Sequence, residues 1–279
     1  MRSPRQSLKW LVCCGISILT LSFGTAVLRA DECPGSASEI VTDRPDITNS
    51  SLVVPVGSLQ AENGMDWTWW QATNALDATN TRLRLGIAHC IEFLVDVPSY
   101  FGSMSSSKPA GFSDTVLSVK RQFQAPLGFF LSATAGVAMP SGSAQISGRG
   151  YQPYLQFPWS HALADGWTLE GMITAVWLPS QPALNWMLEP TLSLERELGP
   201  SFDMFMEYVG LYDRQQPEQL VDGGRAWRFS RTQQLDFHIG VAINRGSTAL
   251  NGRPVDRYFG IGYSLRLDSL FTVGPSSAP

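Results

Sequence analysis

The stretch at residues 82–97, RLRLGIAHCIEFLVDV, decides the fold. Leu83, Leu85 and Ile87 alternate with Arg82, Arg84, Gly86 and Ala88. After a tight His89-Cys90 break the alternation resumes, with Ile91, Phe93, Val95 and Val97 set against Glu92, Leu94 and Asp96. A period of two marks extended chain with one apolar face. The other face of this hairpin carries arginines and carboxylates, so the burial of the apolar face has to be explained by the rest of the chain.

Further alternating segments run from LQAENGMDWTWW (59–70) to VDRYFGIGYSLRLD (255–268). Between them lie residues 112–123, 128–140, 151–159, 166–178, 185–197, 201–213, 219–230 and 234–245; with the hairpin at 80–88 and 90–98 the strands number twelve. Most hold 9–14 residues. Membrane-crossing strands need about 9–11, whereas soluble strands favour about five or six. The breaks near 89–90, 124–127, 161–165, 198–200 and 231–233 are short, and those at 71–79, 99–111, 141–150, 179–184, 214–218 and 246–254 are generally longer.

In hydrocarbon every backbone N–H and C=O must be paired within the protein, so a sheet persists there only as a closed barrel. The expected fold is therefore all-β: a single transmembrane antiparallel β-barrel of outer-membrane type, with about twelve strands over residues 59–268. Its apolar faces meet lipid, and aromatics near strand ends, such as Trp67, Trp159, Trp177 and Phe229, form the interfacial girdles. A secreted β-sandwich also alternates, but it explains the strand lengths and loop asymmetry poorly. Arg196 and Arg225 fall on the outward face, to be accommodated by a bulge or by snorkelling.

Residues 1–30 read as a secretion signal: Arg2, Arg5 and Lys9, an apolar run, then Ala30 before the cut. Residues 31–58 are polar and proline-broken and form an extended arm, while 269–279 form a short tail. Four of the 20 basic residues leave with the signal, so 16 remain against 24 acids, a net charge of −8. That balance and the lack of a basic patch argue against a nucleic-acid partner. Cys33 and Cys90 remain, with no Cys/His cluster for a metal, and no cofactor fingerprint occurs. The two cysteines fall on the side of the short turns, where a disulfide closing the arm onto the first turn is one expectation and two free thiols the other.

The inward face is charged: Glu62, Asp66, Arg82, Arg84, Glu92, Asp96, Asp114, Lys120, Glu170, Glu189, Glu195, Asp203, Glu207, Asp222, Arg228, Asp236, His238 and Arg266. Such a lumen suits a passive pore for small solutes, its acidic excess favouring cations or neutral polar compounds. A closed barrel whose charges pair and fill it is the alternative. A lipid hydrolase is a third; His238 and Ser264 share the inward face on neighbouring strands and are its candidate pair.

TDRPDIT at Thr42–Thr48, followed by VPVGSLQAENG at Val54–Gly64, resembles the opening of the outer-membrane proteins named for the meta-cleavage pathway of phenol degradation. There a TDRPD arm precedes a P-x-G-x-x-Q-x-E-x-G first strand, matched here by Pro55, Gly57, Gln60, Glu62 and Gly64. GFSDTVLSVKRQF (111–123), YQPYLQFPWSHALADGWTLEGM (151–172) and RTQQLDFHIGVAINR (231–245) extend the likeness, and His89-Cys90 departs from it at a turn. The resemblance implies a transporter-like barrel of the Gram-negative outer membrane, with lipid and the outer-membrane assembly machinery as partners and small aromatic or hydrophobic compounds as solutes. The arm, Thr42, Asp43, Arg44, Pro45 and Asp46, is expected to fold into the lumen, Arg44 meeting Glu62 or Glu92, and Asp43 and Asp46 meeting Arg82 or Arg84. A loose tail is the other possibility.

Overall fold

The computed structural model describes Cys33 and residues 39–70, 73–103, 110–148, 150–178, 186–213, 217–244 and 255–271. The expected signal at 1–30 lies outside them.

Twelve antiparallel staves close into a barrel. In chain order they are β1 (Leu59–Trp70); β2 (Thr73–Ala78) in line with β3 (Arg82–Ala88); β4 (Ile91–Asp96) with β5 (Tyr100–Ser103); β6 (Gly111–Phe112) with β7 (Thr115–Gln124); and β8 (Phe129–Met139). There follow β9 (Gln152–Gln156) with β10 (Trp159–Ala162), then β11 (Trp167–Trp177), β12 (Trp186–Gly199), β13 (Phe202–Leu211), β14 (Glu218–Ser230), β15 (Gln233–Ala242) and β16 (Arg257–Leu267). β16 pairs with β1 from Leu59↔Leu267 to Trp69↔Arg257, which closes the sheet into a cylinder.

One expectation needs correction. Residues 71–79 are not a long loop, because Thr73–Ala78 turns straight back along β1 in the register Met65↔Ala78 to Trp70↔Thr73. The alternation of Ala75, Leu76 and Asp77 was too short a signal to show this beside the preceding break.

The burial pattern is that of a protein turned inside out. Along β15 Gln234, Asp236 and His238 are buried, while Leu235, Phe237, Ile239 and Val241 are exposed. Glu62, Arg84 and Glu92 are 0% exposed, against 62% for Ile239 and 67% for Met206. A water-soluble sheet places its large apolar side chains inside, so this outer wall is built for lipid. Aromatics cluster toward its rims: Phe202 stacks on Trp227 at 5.8 Å at the short-turn end, and Trp67 on Phe259 at 6.3 Å at the other. Arg196 lies over the Trp167 ring at 4.9 Å, next to a turn, which gives its charge a route to the interface. Arg225 stays on the outer face in register with Met204 and Phe237, with the β14 bulge falling beyond it at Arg228/Ser230.

Candidate functional site

The arm runs inside the barrel. It enters at the short-turn end, where the Ile40 amide donates to the Arg231 carbonyl at 2.8 Å. It reaches the far wall where the Ile47 and Thr48 amides both donate to Glu207 at 2.8 Å. It returns through Asn49, whose amide donates to Gln156 at 3.0 Å, and Val54, whose N–H donates to Glu92 at 2.7 Å. Val56 then forms a parallel bridge with Gly86, and Gly57 takes a φ of 78° to turn the chain into β1. A segment with no ladder of its own must find partners for its N–H groups, and here the lumen carboxylates and amides supply them.

Asp43 anchors the arm. Its carboxylate lies 3.1 Å from Arg82, 3.2 Å from Arg84 and 3.2 Å from Lys120, and also accepts the Ser50 amide at 3.0 Å. Arg84 bonds to Glu62 and Glu92 at 3.1 Å, and Arg82 to Asp96 at 2.6 Å. Burial alone would raise the Asp43 pKa, but Arg84, Lys120 and Arg82 outweigh it and hold the carboxyl well below the ordinary range. Three cations and four carboxylates thus share one half of the lumen, with β1, β3, β4 and β7 behind them.

Arg44 sits in a notch made by two glycines. Gly64 and Gly262 face each other across the β1–β16 seam. A Cβ on Gly64 would stand 2.3 Å from the Arg44 guanidinium carbon, and one on Gly262 2.5 Å from its Nε. Arg44 pairs with Asp236 at 3.5 Å, not with Glu62 or Glu92 as the sequence suggested. Those two carboxylates are already taken by Arg84.

Asp46 is also elsewhere than expected, away from Arg82 and Arg84. Burial raises its pKa well above the ordinary range, and the negative charges of Glu207, Glu170, Glu195 and Asp222 add to the effect. Across the wall behind it Glu170 faces Ser193, Ser193 faces Glu207, and Glu207 faces Asp222, one residue on each of β11 to β14. Glu207 accepts from Thr48, and Tyr258 donates to Asp222. A cavity of about 220 Å³ lies between the arm and this wall, lined by Asp46, Glu170, Glu195, Asp203 and Arg228 among others.

The remaining expected residues divide. Asp66 meets His238 Nε2 at 3.1 Å, and Arg266 bonds Asp268 at 2.7 Å while donating to the Glu39 carbonyl at 2.8 Å. Arg228 pairs with Asp203. Glu189, opposite Thr174, belongs to the acidic side of the wall. Asp114 does not line the lumen: it accepts the Gly142 and Gly148 amides at 2.9 and 2.8 Å and pins the loop after β8. Its place between the β6 and β7 segments puts it at the rim.

His238 is in register with Gly260 and Ser264 with Gln234, four residues apart along β16, or roughly 13 Å at strand rise. That separation breaks the candidate pair of a hydrolase. Cys33 and Cys90 are unbonded thiols brought together at Gln122: Cys33 Sγ lies 3.6 Å from its Oε1, and its amide donates to the Cys90 carbonyl at 3.0 Å. Burial, then the neighbouring Cys90 side chain, pushes the Cys33 thiol up to about 12. The neutral residues that hold the arm, including Gln60, Gln122, Gln156 and Thr191, escaped sequence reasoning because uncharged polar residues line any lumen.

No curated protein matches the chain in sequence. Among solved structures it is similar to an outer membrane channel from Pseudomonas putida F1, at 12% identity and a TM-score of 0.59 over 78% of this chain and 98% of that one. It is also similar to the NanC porin, at 8% identity and a TM-score of 0.54 over 75% of this chain and 100% of that one. At such identities the likeness is one of fold, and that fold is the outer-membrane β-barrel. The family described as "Putative MetA-pathway of phenol degradation" matches residues 42–267, from Thr42 of the arm to the last residue of β16, and the chain belongs to that family.

Proposed function

We propose that the protein is a passive channel for small solutes in the Gram-negative outer membrane, with its own N-terminal arm seated in the lumen as a plug. The observation that carries this reading is the inside-out wall around a charged interior. Large apolar residues such as Ile239 and Met206 face outward, while Glu62, Arg84, Glu92 and Lys120 are shut inside. A closed structural barrel would be expected to fill its interior, yet a cavity of about 220 Å³ stays open beside Glu170 and Glu195. Solved barrels of this fold include proteins titled channel and porin, which supports passage as the use of the lumen. The signal at 1–30 and the lipid-facing wall agree with export and insertion by the outer-membrane assembly machinery. Short turns would then face the periplasm, and both ends of the described barrel would lie there. Residues 1–30 removed, the protein should fractionate with outer membranes, migrate anomalously unless boiled and admit small solutes into liposomes. Recovery as a soluble periplasmic protein, or a folded barrel without any solute flux, would contradict the reading.

A further inference from the structure

We infer that Cys33 and Cys90 join in a disulfide under oxidising conditions, a bond that latches the entrance of the arm to the first short turn and keeps the plug seated. As a control on passage this rests on the channel reading. Cys13 and Cys14 fall in the expected signal, so these two make the pair left to the mature chain. Register brings them to one place. Ile91 faces Arg121 and Glu92 faces Lys120, so Cys90 is next in the row, opposite Gln122, whose amide donates to its carbonyl at 3.0 Å. The Gln122 side chain is 2% exposed, and its Oε1 accepts from Cys33 Sγ at 3.6 Å and from the Val53 amide at 3.0 Å. The arm therefore meets Gln122 twice, on entering and on returning. Its returning end runs on into β1, and its entrance is the end that a covalent bond would fix. The Cys90 thiol is moreover a hydrogen-bond partner of the Cys33 thiol.

Both cysteines are half-buried, which leaves them within reach of a disulfide donor. In the channel reading the short turns face the periplasm, where disulfides form and persist. Cys90 is placed to react first. Its Sγ lies 3.5 Å from His89 Nδ1, an exposed base positioned to take the proton and leave the nucleophilic thiolate. That thiolate attacks the donor disulfide, forms a mixed disulfide and expels one thiolate. The Cys33 sulfur then attacks the Cys90 sulfur, loses its own proton and expels the second. Two protons and two electrons leave the cysteines, and the donor is reduced to two thiols. Burial, then the neighbouring Cys90 side chain, pushes the Cys33 thiol up to about 12, so it is a poor leaving group and the finished bond resists a reductant that attacks at Cys90. His89-Cys90 is also where the chain departs from the resemblance, which makes the latch this protein's own.

The test isolates the mature protein from outer membranes without reductant, blocks free thiols with N-ethylmaleimide and maps the peptides by mass. Cys33 and Cys90 should appear in one cross-linked pair of peptides, and should both be alkylated only after dithiothreitol. Oxidised glutathione, a small disulfide donor, should restore the bond in protein reduced in detergent. Amide exchange at Ile47, Thr48 and Val53 should quicken several-fold on reduction. Cys33→Ser and Cys90→Ser should each quicken it to the same extent and abolish the response to dithiothreitol. Retention of the unboiled mobility shift checks folding. Both thiols alkylated in the protein as isolated and again after glutathione, or dimers linked through Cys90, overturn the inference. Exchange that is the same in bonded and reduced protein overturns it too. Solute flux from protein whose thiols stay free would leave the channel reading standing without the latch. A mapped bond that slows exchange, with no flux from either redox form, would do the reverse.

Discussion

At the residue scale the arm is held by a few contacts whose loss can be anticipated one by one. Asp43 is shared by Arg82, Arg84 and Lys120, all largely out of water. Asp43→Asn leaves those three cations short of a counter-charge, and breaking a buried pair in this way costs about 3–5 kcal/mol. Hydrogen exchange of the Ile47, Thr48 and Val54 amides should therefore accelerate by two orders of magnitude or more. Gly64→Val should act on the same amides by expelling Arg44 from its notch, since a Cβ there collides with the guanidinium. Both variants should keep the unboiled mobility shift, because neither residue pairs β-strands through its side chain. Exchange unchanged in both would mean that the arm is held by its backbone alone.

At the element scale the arm carries two carboxyls with opposite pH behaviour. The Asp43 pKa is depressed, so its contribution to docking is present above the unfolded value, about 3.9, and is lost only as pH falls through the lower folded one. The Asp46 pKa is raised, so its contribution is complete below about 3.9 and is lost as pH rises through the folded value. Protection of the Ile47 and Thr48 amides, corrected for intrinsic exchange, should thus decline with rising pH, and Asp46→Asn should flatten the profile. A profile equally steep in Asp46→Asn would place the titrating group elsewhere. The strands themselves were legible because period-two patterning over 9–14 residues is a strong local signal, and Arg82, Arg84, Glu92 and Lys120 fell on the inward face by that rule alone. The partners of the arm were less legible. Whether Arg44 meets Glu62 or Asp236 depends on how far the arm climbs before turning back, and the glycine notch at the closing seam joins residues about 200 positions apart. Asp114 was misplaced because the break between β6 and β7 turns it from the wall to the loop.

For the whole molecule, the barrel wall and the arm divide the work. The wall holds a sealed hydrogen-bonded cylinder with lipid outside, and the arm occupies a lumen that twelve strands leave wide enough for a small channel or a filling. One half of that lumen is electrically matched by the arm, and the other is acidic and retains open volume. Planar-bilayer conductance of the mature protein, with and without residues 39–50, tests this division most directly. The account predicts small, cation-preferring currents from the intact protein and several-fold larger ones once the arm is removed. Equal conductance in the two forms, or none in either from protein that keeps its folded mobility, would contradict it.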